Sequence, residues 1–255
     1  MRKYLIAAVA ALTALCFTAV ALAQFPDPEP KLTIKKATPK NAGTKKKPKP
    51  AKLNLLVKNN EASKTTMDTL TLYLPKTWKL NGGSLPKCDY IDMASNGRSV
   101  CPSGSAAGKG KAHAVLGPYA ASPSPLTFTV YVYNGGKKQL LFFLDQDGGD
   151  VEAPLKGTVS KASGKYGTKI AIKVPDGKGE YAQFPNIQQP VPGVYSALGD
   201  LSANIYLKKG KKSLLTSTGC KGGKYDFKAV LRYSDNPTPP GKRTAESKAS
   251  KSCTK

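Results

Sequence analysis

A single histidine, His113, serves a chain of 255 residues. A histidine-rich metal site is excluded by count, and any Ser-His-Asp or Cys-His machinery would have to be built on that one ring. The run Lys111–Leu116 alternates, with His113 on the phase of Lys111 and opposite Ala112 and Ala114, which turns it to solvent. No Gly-x-Ser-x-Gly elbow precedes a helix-forming stretch. Arginine is also scarce: Arg2, Arg98, Arg232 and Arg243 stand among 40 basic residues. Planar readout of bases and phosphates favours arginine over the hydrated point charge of lysine, so specific nucleic-acid recognition is not expected. Carboxylates number 16, which leaves a formal charge of +24. The cysteines show no CxxC spacing, against a four-thiolate metal site. No apolar run after the first 23 residues approaches the roughly 20 needed to span a bilayer.

What is present begins with a leader. Met1-Arg2-Lys3 is a basic n-region, Tyr4 to Leu22 is almost wholly apolar, and Ala21-Leu22-Ala23 is a small-x-small cleavage site. Residues 1–23 therefore read as a secretory signal peptide rather than a retained anchor. A secreted, extracellular chain starting near Gln24 carries about +22 once Arg2 and Lys3 are lost. Removal of Cys16 leaves Cys88, Cys101, Cys220 and Cys253, an even number in an oxidising compartment. Three pairings are open. The sequence-local one closes loops that a loop-entropy argument values at roughly 3 and 4 kcal/mol.

The mature chain reads as all-β. Leu53, Leu55 and Val57 alternate with polar neighbours, as do Leu70, Leu72 and Leu74, then Phe128, Val130 and Val132, then Leu201, Ala203, Ile205 and Leu207, and finally Tyr225 to Tyr233. Asn134-Gly135-Gly136 supplies positive-φ turn residues between Thr127–Tyr133 and Gln139–Leu144, the latter apolar on both phases and a candidate central strand. A second hairpin pairs Leu155–Val159 with Ile170–Val174, and Pro185–Pro192 reads as an irregular loop. Twenty prolines and 24 glycines punctuate the chain at sandwich-like intervals. The expectation is one β-sandwich over residues 24–255, immunoglobulin-like or jelly-roll, of about nine to eleven strands. Two tandem immunoglobulin-like units are the alternative. The tail, Asp235 to Lys255, reads as Pro-rich and then polar.

Four features could carry function. A Lys/Pro-rich loop near residues 38–50 holds Lys45, Lys46, Lys47 and Lys49, which cannot join a core and could contact a polyanion such as an anionic wall polymer or acidic polysaccharide. The carboxylates Asp145, Asp147, Asp150 and Glu152 are concentrated in one short stretch. They read as a turn between strands, as a calcium loop off the EF-hand spacing, or, for Asp145 and Asp147, as a hydrolase pair on one strand face. Tyr73, Tyr131, Tyr133 and Tyr206 fall on the polar phases of their strands and could stack on sugars, or cover a half-exposed sheet. The Gly104–Gly110 segment lacks phosphate-loop spacing and reads as a turn feeding a strand. The first expectation is a non-catalytic secreted protein associating with anionic material through lysine charge, with no cofactor. A carbohydrate-binding module and a glycan hydrolase are the alternatives.

The pattern C-x12-C-P-x-G-S-x2-G-x-G-x-A from Cys88 to Ala112, completed by Gly219-Cys220, Tyr225-Asp226-Phe227 and Cys253, resembles a group of secreted actinobacterial proteins. They too open with a signal peptide and a Lys/Pro-rich loop. The resemblance implies a secreted β-rich fold with two local disulfides. It supplies no activity, ligand or catalytic residue.

Overall fold

A computed structural model describes residues 27–59, 65–118, 123–182, 185–235 and 243–254; the leader and Cys16 lie outside these. Each alternating run becomes a strand with its apolar phase buried. Eleven strands form one main sheet: β1 (Lys31–Thr38), β3 (Lys52–Lys58), β4 (Met67–Pro75), β6 (Ala106–Leu116), β7 (Ser124–Asn134), β8 (Gln139–Gln146), β9 (Glu152–Lys161), β10 (Tyr166–Lys173), β11 (Ser196–Ile205), β15 (Lys224–Tyr233) and β16 (Thr244–Ser252). Their order is β1-β3-β11-β6-β7-β8-β9-β10-β4-β15-β16, and every neighbouring pair is antiparallel. The chain is all-β and disulfide-stapled, as its alternation and cysteines lead one to expect.

The sheet curls until its halves face each other. Leu55, Val57, Leu201, Ala203 and Ile205 of one half meet Leu70, Leu72, Ile170, Ile172 and Phe142 of the other, leaving a void of only about 20 Å³. The two layers of a sandwich are here the two halves of one continuous sheet. Its edges also meet. The Leu32 N–H donates to the Ser247 hydroxyl at 2.9 Å, and Asn41 and Thr254 form a parallel bridge just beyond β1 and β16. That contact covers two edge strands whose unpaired backbone would otherwise invite association.

β16 departs from the expected polar tail. Its inward phase carries Ala245 and Ala249, which pack against the core, but between Thr, Glu, Ser and Lys such small residues give little alternation to read. Cys220–Cys253 ties this last strand to the segment before β15, and Cys88–Cys101 closes the other local loop.

Within that first loop sits α1 (Tyr90–Asn96), which periodicity does not announce. Asp89 caps it, accepting from the N–H groups of Ile91 at 2.8 Å and Asp92 at 3.3 Å, the arrangement that satisfies a helix's first orphan donors. Tyr90 and Met93 pack on Leu141 and Phe143 of β8 and on Tyr133 of β7, a second core outside the barrel. This is why Gln139–Leu144 is apolar on both phases: Leu140 and Phe142 face the main core, Leu141 and Phe143 face α1.

Two turn assignments are corrected. Gly108 and Gly110 lie inside β6 rather than in a turn; a Cβ at either would run into the carbonyl oxygens of Asn204 and Ser202 on β11. Asn134 ends β7, and the left-handed backbone belongs to Gly136 at φ 105°.

One end of the barrel is capped by further short strands. β2 (Lys49–Pro50), β14 (Leu215–Ser217) and β5 (Trp78–Leu80) form a three-stranded sheet, beside the hairpin of β12 (Lys208–Lys209) and β13 (Lys212–Ser213).

Candidate functional site

Because the main sheet is antiparallel throughout, successive connections alternate between the two ends of the barrel. At the capped end lie the connections 39–51, 76–105, 135–138, 162–165 and 206–223, and the carboxylates they contain are Asp89 and Asp92, both in the α1 segment of 76–105. They hold the lysine clusters of the chain: Lys45 to Lys49, Lys137-Lys138, and Lys208, Lys209, Lys211 and Lys212. All of these are exposed. Among the described residues none of them is in an ion pair. These lysine clusters therefore share one end of the barrel.

The Lys/Pro loop is held in place. The Tyr225 hydroxyl donates to the Pro39 carbonyl at 3.0 Å. Backbone bonds join Ala42 to Thr254 and Thr254 to Lys40, and β2 pairs with β14. Lys45 and Lys46 sit at the tip of a turn in which the Thr44 and Lys47 backbones bond at 3.0 Å and the Lys47 N–H also donates to the Thr44 hydroxyl. The 208–213 hairpin stands close by, and Lys209 Nζ reaches the neighbourhood of Gly104 and Pro86. The result is a rigid array of point charges on a scaffold, not a tail.

The opposite end carries acids in its connections: Asp147 and Asp150 between β8 and β9, Asp176 between β10 and β11, Asp235 after β15, and Asp27 and Glu29 before β1. A polar recess of about 250 Å³ there contains Arg232 and Arg243, balanced by Asp68 at 3.6 Å and Asp235 at 3.1 Å. Beside it opens a much larger cavity of about 590 Å³. Its wall includes Leu70, Phe128, Phe142, Leu155, Ile172 and Leu201, and its mouth includes Asp150, Val151 and Glu152.

The residues singled out from sequence fall as follows. His113 is on the outer face, its Nδ1 2.9 Å from Asp200. Lys45, Lys46, Lys47 and Lys49 lie together at the basic end. The four acidic residues of the β8–β9 turn do not converge. The Arg98 guanidinium donates to Asp145 at 3.4 Å, and Lys111 and the Thr129 hydroxyl donate to Asp147 at 2.6 and 2.7 Å. Those donors, Lys111 first, hold Asp147 below the usual carboxylate range. Asp150 lies at the cavity mouth instead, and Glu152, opposite Asp145 in the β8–β9 ladder, sends its carboxylate toward Gly97 at the end of α1. Among the described residues no group of three or more His, Cys, Asp or Glu gathers as metal ligands would, so the carboxylates read as a calcium loop are not brought together.

The tyrosines do not form one platform. Tyr133 is buried under α1, contrary to its expected exposure. Tyr131 is covered by Arg98, 4.0 Å from its ring centroid, and by Lys109 at 4.9 Å. Tyr73 lies several strands away on β4, beneath Lys228 at 4.5 Å. Tyr206 stands alone at the basic end with Lys52 at 5.7 Å.

No family model, curated protein or solved structure matches the chain. Among the described residues no helix is long and apolar enough to cross a membrane.

Two features of this surface are absent from the sequence reading: the sorting of charge by barrel end, and the cavity. The first has a sequence signal, since where successive strands alternate in direction every second connection shares an end. The second has a fainter one, the small inward residues Ala112, Ala114, Ala153 and Ala197, which all line the cavity.

Proposed function

We propose that this is a secreted, non-catalytic β-protein that attaches through its lysine end to anionic polymer outside the cell, a wall polymer or an acidic polysaccharide. The observation that carries this reading is the gathering of exposed lysine clusters at an end of the barrel whose connections hold two carboxylates, Asp89 and Asp92. Fixed like charges on one face build a field that steers and concentrates a polyanion. Lysine suits the task, because its compact ammonium binds phosphate, sulfate or carboxylate without demanding a planar partner. The non-catalytic part of the reading is supported by the engagement of Asp145 and Asp147 with Arg98 and Lys111.

Sedimentation with purified cell wall across a salt series tests the mode of attachment. The protein should be retained at about 0.1 M salt and released by about 0.5 M, where the Debye length falls to a few ångströms. Retention at high salt, relieved by free sugar, would instead favour stacking by the tyrosines.

A further inference from the structure

The interior of this barrel is packed unevenly. Around Leu55, Val57 and Ile170 the void is about 20 Å³, the close packing expected of a protein core. Toward the acidic end it widens to about 590 Å³, within the range of small-molecule sites and well above the engineered apolar cavity of about 150 Å³ that binds benzene. The cause is local. β6 turns Ala112 and Ala114 inward, β9 contributes Ala153 and β11 Ala197, so four neighbouring wall positions reach only a methyl group into the space.

The chemistry of the wall is one-sided. Its deep part is aliphatic and aromatic, and among the described residues no lysine, arginine or histidine lines it. Asp150 is exposed at the mouth beside Val151, whereas the Glu152 carboxylate turns to the outer face near Gly97. Two nearby cations, Arg98 and Lys111, are engaged by Asp145 and Asp147. A chain entering this cavity leaves its head group beside the Asp150 carboxylate.

We infer that the acidic end binds a single-chain amphiphile, with the alkyl chain in the cavity and a neutral or cationic head at Asp150. A fatty carboxylate is disfavoured despite the strongly positive protein, because among the described residues no cation lines the cavity and Asp150 stands at its mouth. The inference does not rest on polymer binding, which uses the opposite end.

The test is displacement of the neutral fluorophore N-phenylnaphthylamine from the full mature chain by decanol, decylamine and decanoate. Decanol and decylamine should displace it, with decanoate at least about threefold weaker at neutral pH, because its head would sit near a like charge. In the variant Asp150→Asn that gap should close, and in Glu152→Gln it should remain. Ala114→Phe and Leu144→Trp, made separately, fill the cavity and should abolish fluorophore binding while leaving wall sedimentation unchanged. Each adds bulk to empty space, so neither should lower the melting temperature. Equal displacement by decanoate in the parent protein would overturn the head-group assignment. Fluorophore binding that survives both fillings, or a fall in melting temperature in both, would overturn the cavity itself.

Discussion

Replacing Trp78 with alanine is expected to destabilise the fold by about 3–5 kcal/mol, the range for removing a buried tryptophan. Trp78 is 1% exposed and sits on β5, in the small sheet that also carries β2 at the end of the lysine loop. Its ring meets Tyr225 edge-on, with centroids 5.2 Å apart, and Phe227 at 5.4 Å, pairings that add to simple burial. Tyr225 in turn bonds Ser217 of β14 at 2.9 Å and Pro39 at 3.0 Å. One cluster thus fixes the small sheet, β15 and the root of the lysine loop. For a domain of this size the loss corresponds to about 10 °C in melting temperature, read by thermal unfolding. Among the described residues the Trp78 Nε1 has no partner, so Trp78→Phe gives up no hydrogen bond and should retain most of the stability. If the alanine variant melted within a degree or two of the parent, the cluster would not be the anchor it is taken to be.

Asn134→Ala is expected to be nearly as costly, about 3 kcal/mol. The Asn134 side chain is fully buried and its amide donates to the carbonyls of Pro86 at 2.8 Å, Gly82 at 2.9 Å and Leu85 at 3.4 Å. Its oxygen accepts from the Gly136 N–H at 3.1 Å. These bonds lock the β7–β8 hairpin, with Lys137 and Lys138, to the segment leading into Cys88. Truncation strands several polar groups without water, and each such group costs about 1–3 kcal/mol. Asn134→Asp keeps the shape but loses the donors, and should fare no better than alanine in denaturant titration. A near-neutral aspartate would show that shape, not hydrogen bonding, is what the site requires.

Much of this architecture is legible in the chain and some of it is not, for physical reasons. Runs such as Leu70, Leu72 and Leu74 announce themselves because one face of each strand is buried and the other wet. β16 is nearly silent because its inward residues are as small as its outward ones are polar. α1 is too short for periodicity, and its signal is the Asp89 cap. Asn134 looks like a turn former from its Gly-Gly neighbours, whereas its role depends on a segment some fifty residues earlier that only the fold brings near. The lysine run from Lys45 to Lys49 is evident at once, but its company is not. Lys137 and Lys208 join it because the strands reverse an even number of times between them, and a count of reversals requires the strands first.

The central claim is that binding belongs to one end of the molecule rather than to its net charge. It is tested by two variants of equal charge. One replaces Lys45, Lys46, Lys47 and Lys49 with serine, and the other replaces Lys31, Lys35, Lys58 and Lys178, exposed lysines outside the basic end. Affinity for an immobilised acidic polysaccharide is measured across a salt series. The first variant should lose about tenfold or more at about 0.1 M salt, with a shallower salt dependence by about one unit for each lysine in contact. The second should stay within about threefold of the parent, its lost charges lying beyond a Debye length of the contact. Equal losses in the two variants would contradict the account, because binding would then follow overall charge and the sorting of lysines to one end would have no part in it.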